Sequence, residues 1–223
     1  MLEHSKGNML DFKAGCTHLI SGQSGSGKSR FIYKILKNKD VMFGQDEPKA
    51  IRYYYGIWQS LYDKMKEEID GITFHQNLPT EEEILEFTSS DQHTVIVIDD
   101  LQDQACNSSV VELLFTRISH HRHCTCFYLL QNAFIQGSKQ VTIGLNAQYI
   151  CIHRSPRSIG QLNLINRQIF TNSKHILADA YSDVMKRDNF GYILIDLTPH
   201  CPDELRIRTR IFPGEQTIVY CPD

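Results

Sequence analysis

The run Gly22-Gln23-Ser24-Gly25-Ser26-Gly27-Lys28-Ser29 fits the pattern G-x-x-x-x-G-K-S/T at every required position. Glycines in such a run let the backbone bend until successive N–H groups converge on one point, which suits the oxygens of a phosphate chain. Lys28 is placed to reach the β- and γ-phosphates of a nucleoside triphosphate, and the Ser29 hydroxyl to ligate Mg2+. Arg30 follows directly and completes the candidate phosphate-binding segment. A short glycine pattern gains meaning from its flanks. Here a strand is expected before it, Thr17 to Ser21, and a helix after it from Lys28, with Phe31, Ile32, Ile35 and Leu36 at helical spacing. The start of that helix adds a partial positive charge aimed at the same phosphates.

A second group lies at the end of the run Val95-Ile96-Val97-Ile98, where Asp99 and Asp100 follow. An apolar, β-branched run of this kind suits a strand buried on both faces of a parallel sheet. A carboxylate at its tip is costly to bury without a partner, and a metal shell would supply one. Asp99 is therefore the expected holder of the metal, partly through water, and Asp100 the group that orients or deprotonates an attacking water. Gln131 ends another expected strand, Cys124 to Leu130. Ligands gather at the carboxyl ends of strands in open α/β sheets, so Gln131 is the candidate sensor of the terminal phosphate or of the water.

These groups need a scaffold, and the rest of the chain reads as one. Strands are expected at Ala50–Tyr55, Ile72–Phe74, Tyr149–Ile152, Gly191–Asp196 and Leu205–Ile211, the last two forming a hairpin about Pro199 to Pro202. Helices are expected at Gln59–Ile69, Ser108–Ser119, Ser158–Phe170, Lys174–Arg187 and after Thr80, where Glu83 completes a capping box. Strand–helix alternation points to an α/β fold with a mostly parallel central sheet flanked by helices. The chain divides into an extension over 1–14, a core over 15–187 and a C-terminal β extension over 188–223.

The 223 residues allow one α/β domain with a full core, and the net charge of -3 announces no general affinity for nucleic acid. Any such contact must come from a local patch. The polar start of the chain and the lack of a long apolar run lead to the expectation of an intracellular protein, not secreted and not in a membrane. The seven cysteines form no regular framework and read as reduced thiols.

Further blocks extend the pattern: Arg52-Tyr-Tyr-Tyr-Gly-Ile-Trp-Gln59, Ser119-His-His-Arg-His123, Leu130-Gln-Asn-Ala-Phe134, Leu145-Asn-Ala-Gln-Tyr149 and Ser155-Pro-Arg157. With the phosphate loop and the Asp99–Asp100 strand, they resemble the genome-packaging ATPases of polinton-type elements, adintoviruses, virophages and poxvirus-like large DNA viruses. Those belong to the FtsK/HerA group of P-loop ATPases. The resemblance spans about Gly15 to Tyr220. It implies a RecA-like core with a C-terminal β-hairpin, ATP and Mg2+ as cofactors, and a homo-oligomeric ring, hexamer or pentamer. Such a ring moves double-stranded DNA into a capsid, so capsid proteins are expected partners and the host nucleus or cytoplasm the expected place of assembly. The family's lysine, carboxylate pair and sensor fall on Lys28, Asp99 with Asp100, and Gln131. Its arginine finger falls on Arg122, with Arg154, Arg157 and Arg167 as rivals. Many ring ATPases carry Glu where this chain has Asp100; Asp103 is the alternative.

Several features admit two readings. Arg206, Arg208 and Arg210 alternate on an expected strand and would share one face, either touching a DNA backbone or forming a solvated sheet face. Lys139 and Lys174 are weaker candidates for the same contact. Tyr53, Tyr54, Tyr55 and Trp58 read as core aromatics rather than a stacking platform. His120, His121, His123, Cys124 and Cys126 lack the spacing of a zinc site, because one residue separates the cysteines on a strand. The rival to a translocase is a small P-loop kinase acting on a nucleoside or metabolite.

Overall fold

Val95, Ile96, Val97 and Ile98 are all fully buried, and the strand they form, β4 (Thr94–Asp99), lies in the interior of a nine-stranded sheet. The computed structural model describes residues 11–88, 91–131, 138–155, 158–170, 173 and 175–222. The strands are β1 (Thr17–Ser21), β2 (Ala50–Tyr55), β3 (Ile72–Gln76), β4, β5 (Cys124–Leu130), β6 (Tyr149–His153), β7 (Tyr192–Asp196), β8 (Ile207–Thr209) and β9 (Ile218–Tyr220). Their order is β3-β2-β4-β5-β1-β6-β7-β8-β9. All pairings from β3 across to β6 are parallel, and those of β7, β8 and β9 are antiparallel. The expected hairpin is present as β7 and β8, and a third strand, β9, lengthens it.

The α-helices are α1 (Lys28–Lys37), α2 (Lys39–Met42), α3 (Ser60–Glu68), α4 (Glu81–Phe87), α5 (Gln102–Ala105), α6 (Ser109–Leu113), α7 (Ser119–His121), α8 (Ser138–Leu145), α9 (Ser158–Ile169) and α10 (Ile176–Arg187). A wider π-helical turn, Leu114–Ile118, joins α6 to α7. Thr80 caps α4: its hydroxyl accepts from the Glu83 N–H at 3.2 Å, and the Glu83 carboxylate accepts from the Thr80 N–H at 2.7 Å.

Alternation along each strand sends side chains to two cores. Ile96, Ile98, Cys124, Cys126 and Tyr128 pack with α4, α6, α9 and α10 on one face. Val95, Val97, Phe127, Leu129 and Tyr53 pack with α1 and α3 on the other. Each fully buried apolar side chain contributes about 1.5–3 kcal/mol against solvent exposure, so packing on both faces holds the central strands in place. Asp99 continues the Val95–Val97 parity and points toward α1 and α3. Cys124 and Cys126 share a face, and burial pushes the Cys124 thiol up to about 12. Among the described residues no cluster of metal-ligand side chains is found, and no helix is long and apolar enough to cross a membrane.

The expected row of three arginines does not form. Only Ile207–Thr209 is strand. Arg206 ends a 3-10 turn, and Arg210 has a φ of 57°, which turns the chain out of the strand. Arg208 is 1 % exposed and pairs with buried Asp196 at 2.6 Å. Arg206 is held by Asp203 at 2.7 Å and by the carbonyls of Asp196 and Thr198. The strand-face argument fails because this face of β8 is not solvated: Arg208 lies opposite Leu194, in the layer of the second core. Arg208 is therefore corrected from a DNA-contact candidate to a buried ion-pair partner, while Arg210 remains exposed.

Candidate active site

The carboxyl ends of β1, β4 and β5 are neighbours or next-neighbours in the sheet, and they bring the predicted groups into one cleft. A cavity of ≈ 290 Å³ there is lined by residues that include Lys28, Ser29, Asp99, Asp100 and Gln131. Ser24, Gly25, Gly27 and Arg30 line it as well. In the loop, Gln23, Ser24 and Gly25 form an exposed crest, while Gly22 and Ser26 are buried at its base. A side-chain carbon on Gly22 would lie 2.7 Å from His153 Cβ and 2.6 Å from Ser26 Oγ, so glycine is required there by space. Gly27 has a φ of 98°, which only glycine adopts without strain, and it passes the chain into α1.

Lys28 Nζ turns back over the loop and donates to the carbonyls of Gly22 at 2.6 Å and Gln23 at 3.1 Å. Desolvation lowers its pKa, opposed by Asp99 and Asp100. A half-buried ammonium resting on neutral carbonyls is a cation whose desolvation an anion would offset, and a phosphate fits that need.

Asp99 is buried, and its Oδ2 accepts three hydroxyls. Ser29 Oγ lies at 2.7 Å, Tyr53 Oη at 2.6 Å and Tyr62 Oη at 3.1 Å. The sequence reading assigned Tyr53 to the core and did not single out Tyr62. Both are buried, and both also carry a hydroxyl to the acidic strand tip. Burial, then the Asp99 charge, raises the pKa of each tyrosine, which keeps them as donors. The oxygen set of Ser29 and Asp99 is hard and compact, the chemistry that suits Mg2+.

Asp100 is exposed at the lip of the cleft with a φ of 57°. A left-handed non-glycine residue stores strain, and Asp tolerates it better than most. Gln131 is exposed, and its N–H donates to Gln102 Oε1 at 2.6 Å. Gln102 also lines the cleft, whereas Asp103, the alternative to Asp100, is not among the lining residues.

His153 was also missed. It ends β6, is 1 % exposed, and packs under the loop with Nδ1 3.2 Å from the Ser26 carbonyl oxygen. Burial, reinforced by the Lys28 charge, lowers its pKa to about 3, so the ring is neutral. Nothing in the local sequence distinguishes it from an ordinary strand end.

Arg122 is not brought to this cleft. It sits before β5, at the opposite end of that strand from Gln131, with seven strand residues, about 23 Å at 3.3 Å per residue, between them. Its guanidinium donates to the Leu85 carbonyl at 3.1 Å, in the last turn of α4. Arg154 donates to the Met185 carbonyl and Arg167 is exposed on α9. Arg157, Lys174 and Asn132 lie outside the described residues, and Lys139 is half-buried at the start of α8.

Comparison with protein-family models and with curated proteins gives no match. Among solved structures, the fold is similar to the genome packaging NTPase B204 of Sulfolobus turreted icosahedral virus 2, solved in complex with ATP-gammaS. The two share 13% sequence identity and a TM-score of 0.50, over 94% of this chain and 98% of the other. At that identity the likeness concerns the fold: this chain has the α/β architecture of a P-loop NTPase core, with antiparallel strands closing its C-terminal edge.

Proposed function

We propose that this chain is an ATPase that hydrolyses Mg-bound ATP and uses the cycle to move double-stranded DNA during genome packaging, as a homo-oligomeric ring acting with capsid proteins. The observation that carries the ATPase reading is the convergence of Lys28, Ser29 and Asp99: a desolvated ammonium at the loop, and a serine hydroxyl bonded to a buried carboxylate at 2.7 Å. Lys28 would bind the phosphate chain, and Ser29 with Asp99 would hold Mg2+. The metal, when bound, supplies charge neutralisation on the phosphate oxygens. Asp100 orients the attacking water, and Gln131 meets the terminal phosphate. The packaging role is supported by the motif resemblance and by the shared fold of a viral genome packaging NTPase.

The test is hydrolysis by the purified protein with and without duplex DNA, beside an assay of its oligomeric state. A DNA-stimulated activity that Lys28→Ala abolishes supports the reading. Hydrolysis by a monomer indifferent to DNA would sink the translocase, and ATP consumption only with a small acceptor would make the chain a kinase.

A further inference from the structure

Beside the phosphate cleft lies a second and larger cavity, ≈ 700 Å³, between α1 and the C-terminal strands. The two cavities share Gly27 and Arg30 in their linings. Phe190, Arg187, Arg210, His153 and Tyr192 are among the residues that line the larger one. Phe190 is 64% exposed, a large apolar surface left in water beside a loop built for an anion. Its ring stands against that loop: Cδ1 lies 3.6 Å from where a side chain on Gly27 would begin. The turn carrying it is fixed. The Phe190 N–H donates to Asp188 Oδ1 at 2.8 Å, and the Gly191 N–H to the Asp188 carbonyl at 3.1 Å.

The ends of the phosphate cleft are chemically different. Asp99, Asp100 and Gln131 mark the end that takes the metal and the terminal phosphate. Away from those groups, Gly27 and Arg30 border the larger cavity as well. A triphosphate bound in that sense leads its sugar and base toward Phe190. Arg30, in both linings, and Arg210, in the lining of the larger cavity, are exposed cations that would lie near the phosphate next to the sugar.

We propose that the C-terminal β extension forms the nucleoside half of the site, with the base stacked on Phe190. This deepens the ATPase reading and rests on it. Stacking on an aromatic ring needs a fixed, accessible face, and Phe190 has both. The extension is then part of substrate binding, and not only an edge of the sheet.

The experiment is calorimetric titration of the full chain with Mg-ATP and with Mg-tripolyphosphate, which has no base or sugar. Phe190→Ala is expected to weaken ATP binding by roughly tenfold or more, the size of one base–aromatic contact. It should leave tripolyphosphate affinity within about twofold. Phe190→Trp should keep ATP affinity and show fluorescence quenching by ATP but not by tripolyphosphate, in a Trp58→Phe background that removes the single native tryptophan. Equal loss of both ligands in Phe190→Ala would overturn the proposal, because the ring would then only support the loop. Unchanged ATP affinity in Phe190→Ala, with binding abolished in Lys28→Ala, would overturn it while leaving the ATPase reading intact. Failure of the wild type to bind either ligand would overturn both.

Discussion

Tyr53 and Asp99, 46 residues apart in the chain, are joined by a 2.6 Å hydrogen bond inside the protein. Register explains it: Tyr53 on β2 lies beside Val97 on β4, and one step of two residues brings Asp99 to the same face. Tyr62 reaches the same oxygen from α3. A buried carboxylate with donors already in place is oriented before any ligand arrives. A hydrogen bond to a charged group contributes roughly 1.5–3 kcal/mol. Tyr53→Phe is therefore expected to lower unfolding free energy by about that amount and kcat/KM for ATP by roughly tenfold. The double variant with Tyr62→Phe should raise the Mg2+ concentration needed for half-maximal rate. An unchanged Mg2+ dependence in the double variant would mean the tyrosines serve the core alone.

Stability should depend on pH through buried histidines. Desolvation holds His93 at about 4 and His153 at about 3, against an ordinary value of 6.5. Both are therefore neutral in the fold while the unfolded chain takes up protons first. The unfolded state binds more protons below pH 6.5, so stability is full above that value and falls as pH drops toward 4. His93 alone accounts for on the order of 3 kcal/mol across that window, at about 1.4 kcal/mol per unit. Urea unfolding between pH 7 and pH 4.5 checks this, and His93→Gln should flatten the slope.

His18 offers a related test. Its ring stacks on Tyr149 at 4.5 Å and lies 4.3 Å from Phe127, and neither nitrogen has a hydrogen-bond partner among the described residues. A buried polar atom without a partner costs about 1–3 kcal/mol. His18→Phe keeps the aromatic packing and removes that cost, so its melting temperature should rise. A fall would show that the site has no room for the larger ring.

The corrected Arg208 makes its own prediction. Asp196 accepts from Arg208 Nη2 at 2.6 Å and from the Thr198 hydroxyl at 2.6 Å. Removing one member of a buried pair leaves the other charge stranded, at a cost of roughly 3–5 kcal/mol. Arg208→Met should therefore destabilise strongly, and adding Asp196→Leu should restore much of the loss. A mild effect of Arg208→Met alone, by chemical unfolding, would contradict the buried pair.

The parts of this site that the sequence exposes are those whose partners are sequence neighbours. The loop from Gly22 to Ser29 is a local device, and Asp99 is marked by the buried run before it. Tyr62 is different. It sits on a helix 37 residues before Asp99, and only the packing of α3 on the sheet aims its hydroxyl. His153 is invisible for the same reason: its role comes from β6 lying next to β1, a crossover that local pattern does not encode. The arginine row failed because period two was carried beyond the three residues that are strand, and because both readings of that row left its face open, to solvent or to DNA, whereas β8 lies between β7 and β9 with Arg208 buried. Charged residues read as surface until a buried partner such as Asp196 is known.

Arg122 separates two roles that predict different numbers. Its guanidinium meets the Leu85 carbonyl near the carboxyl end of α4, where a cation stabilises the helix by about 0.3–1 kcal/mol. Its place before β5, away from its own cleft, means that any contact with a phosphate must be made to a neighbouring subunit. An arginine supplied across a boundary to the transferring phosphate contributes a factor of about 10³–10⁵ in rate. The ring proposal therefore expects Arg122→Ala to lose at least a hundredfold in kcat with a small change in stability. Mixing it with Lys28→Ala should regain activity, because some interfaces then pair an intact loop with an intact arginine. If Arg122→Ala loses only the stability of a helix cap and keeps its rate, the finger lies elsewhere. Arg154 at the end of β6 and Arg167 on α9 are then the residues to replace.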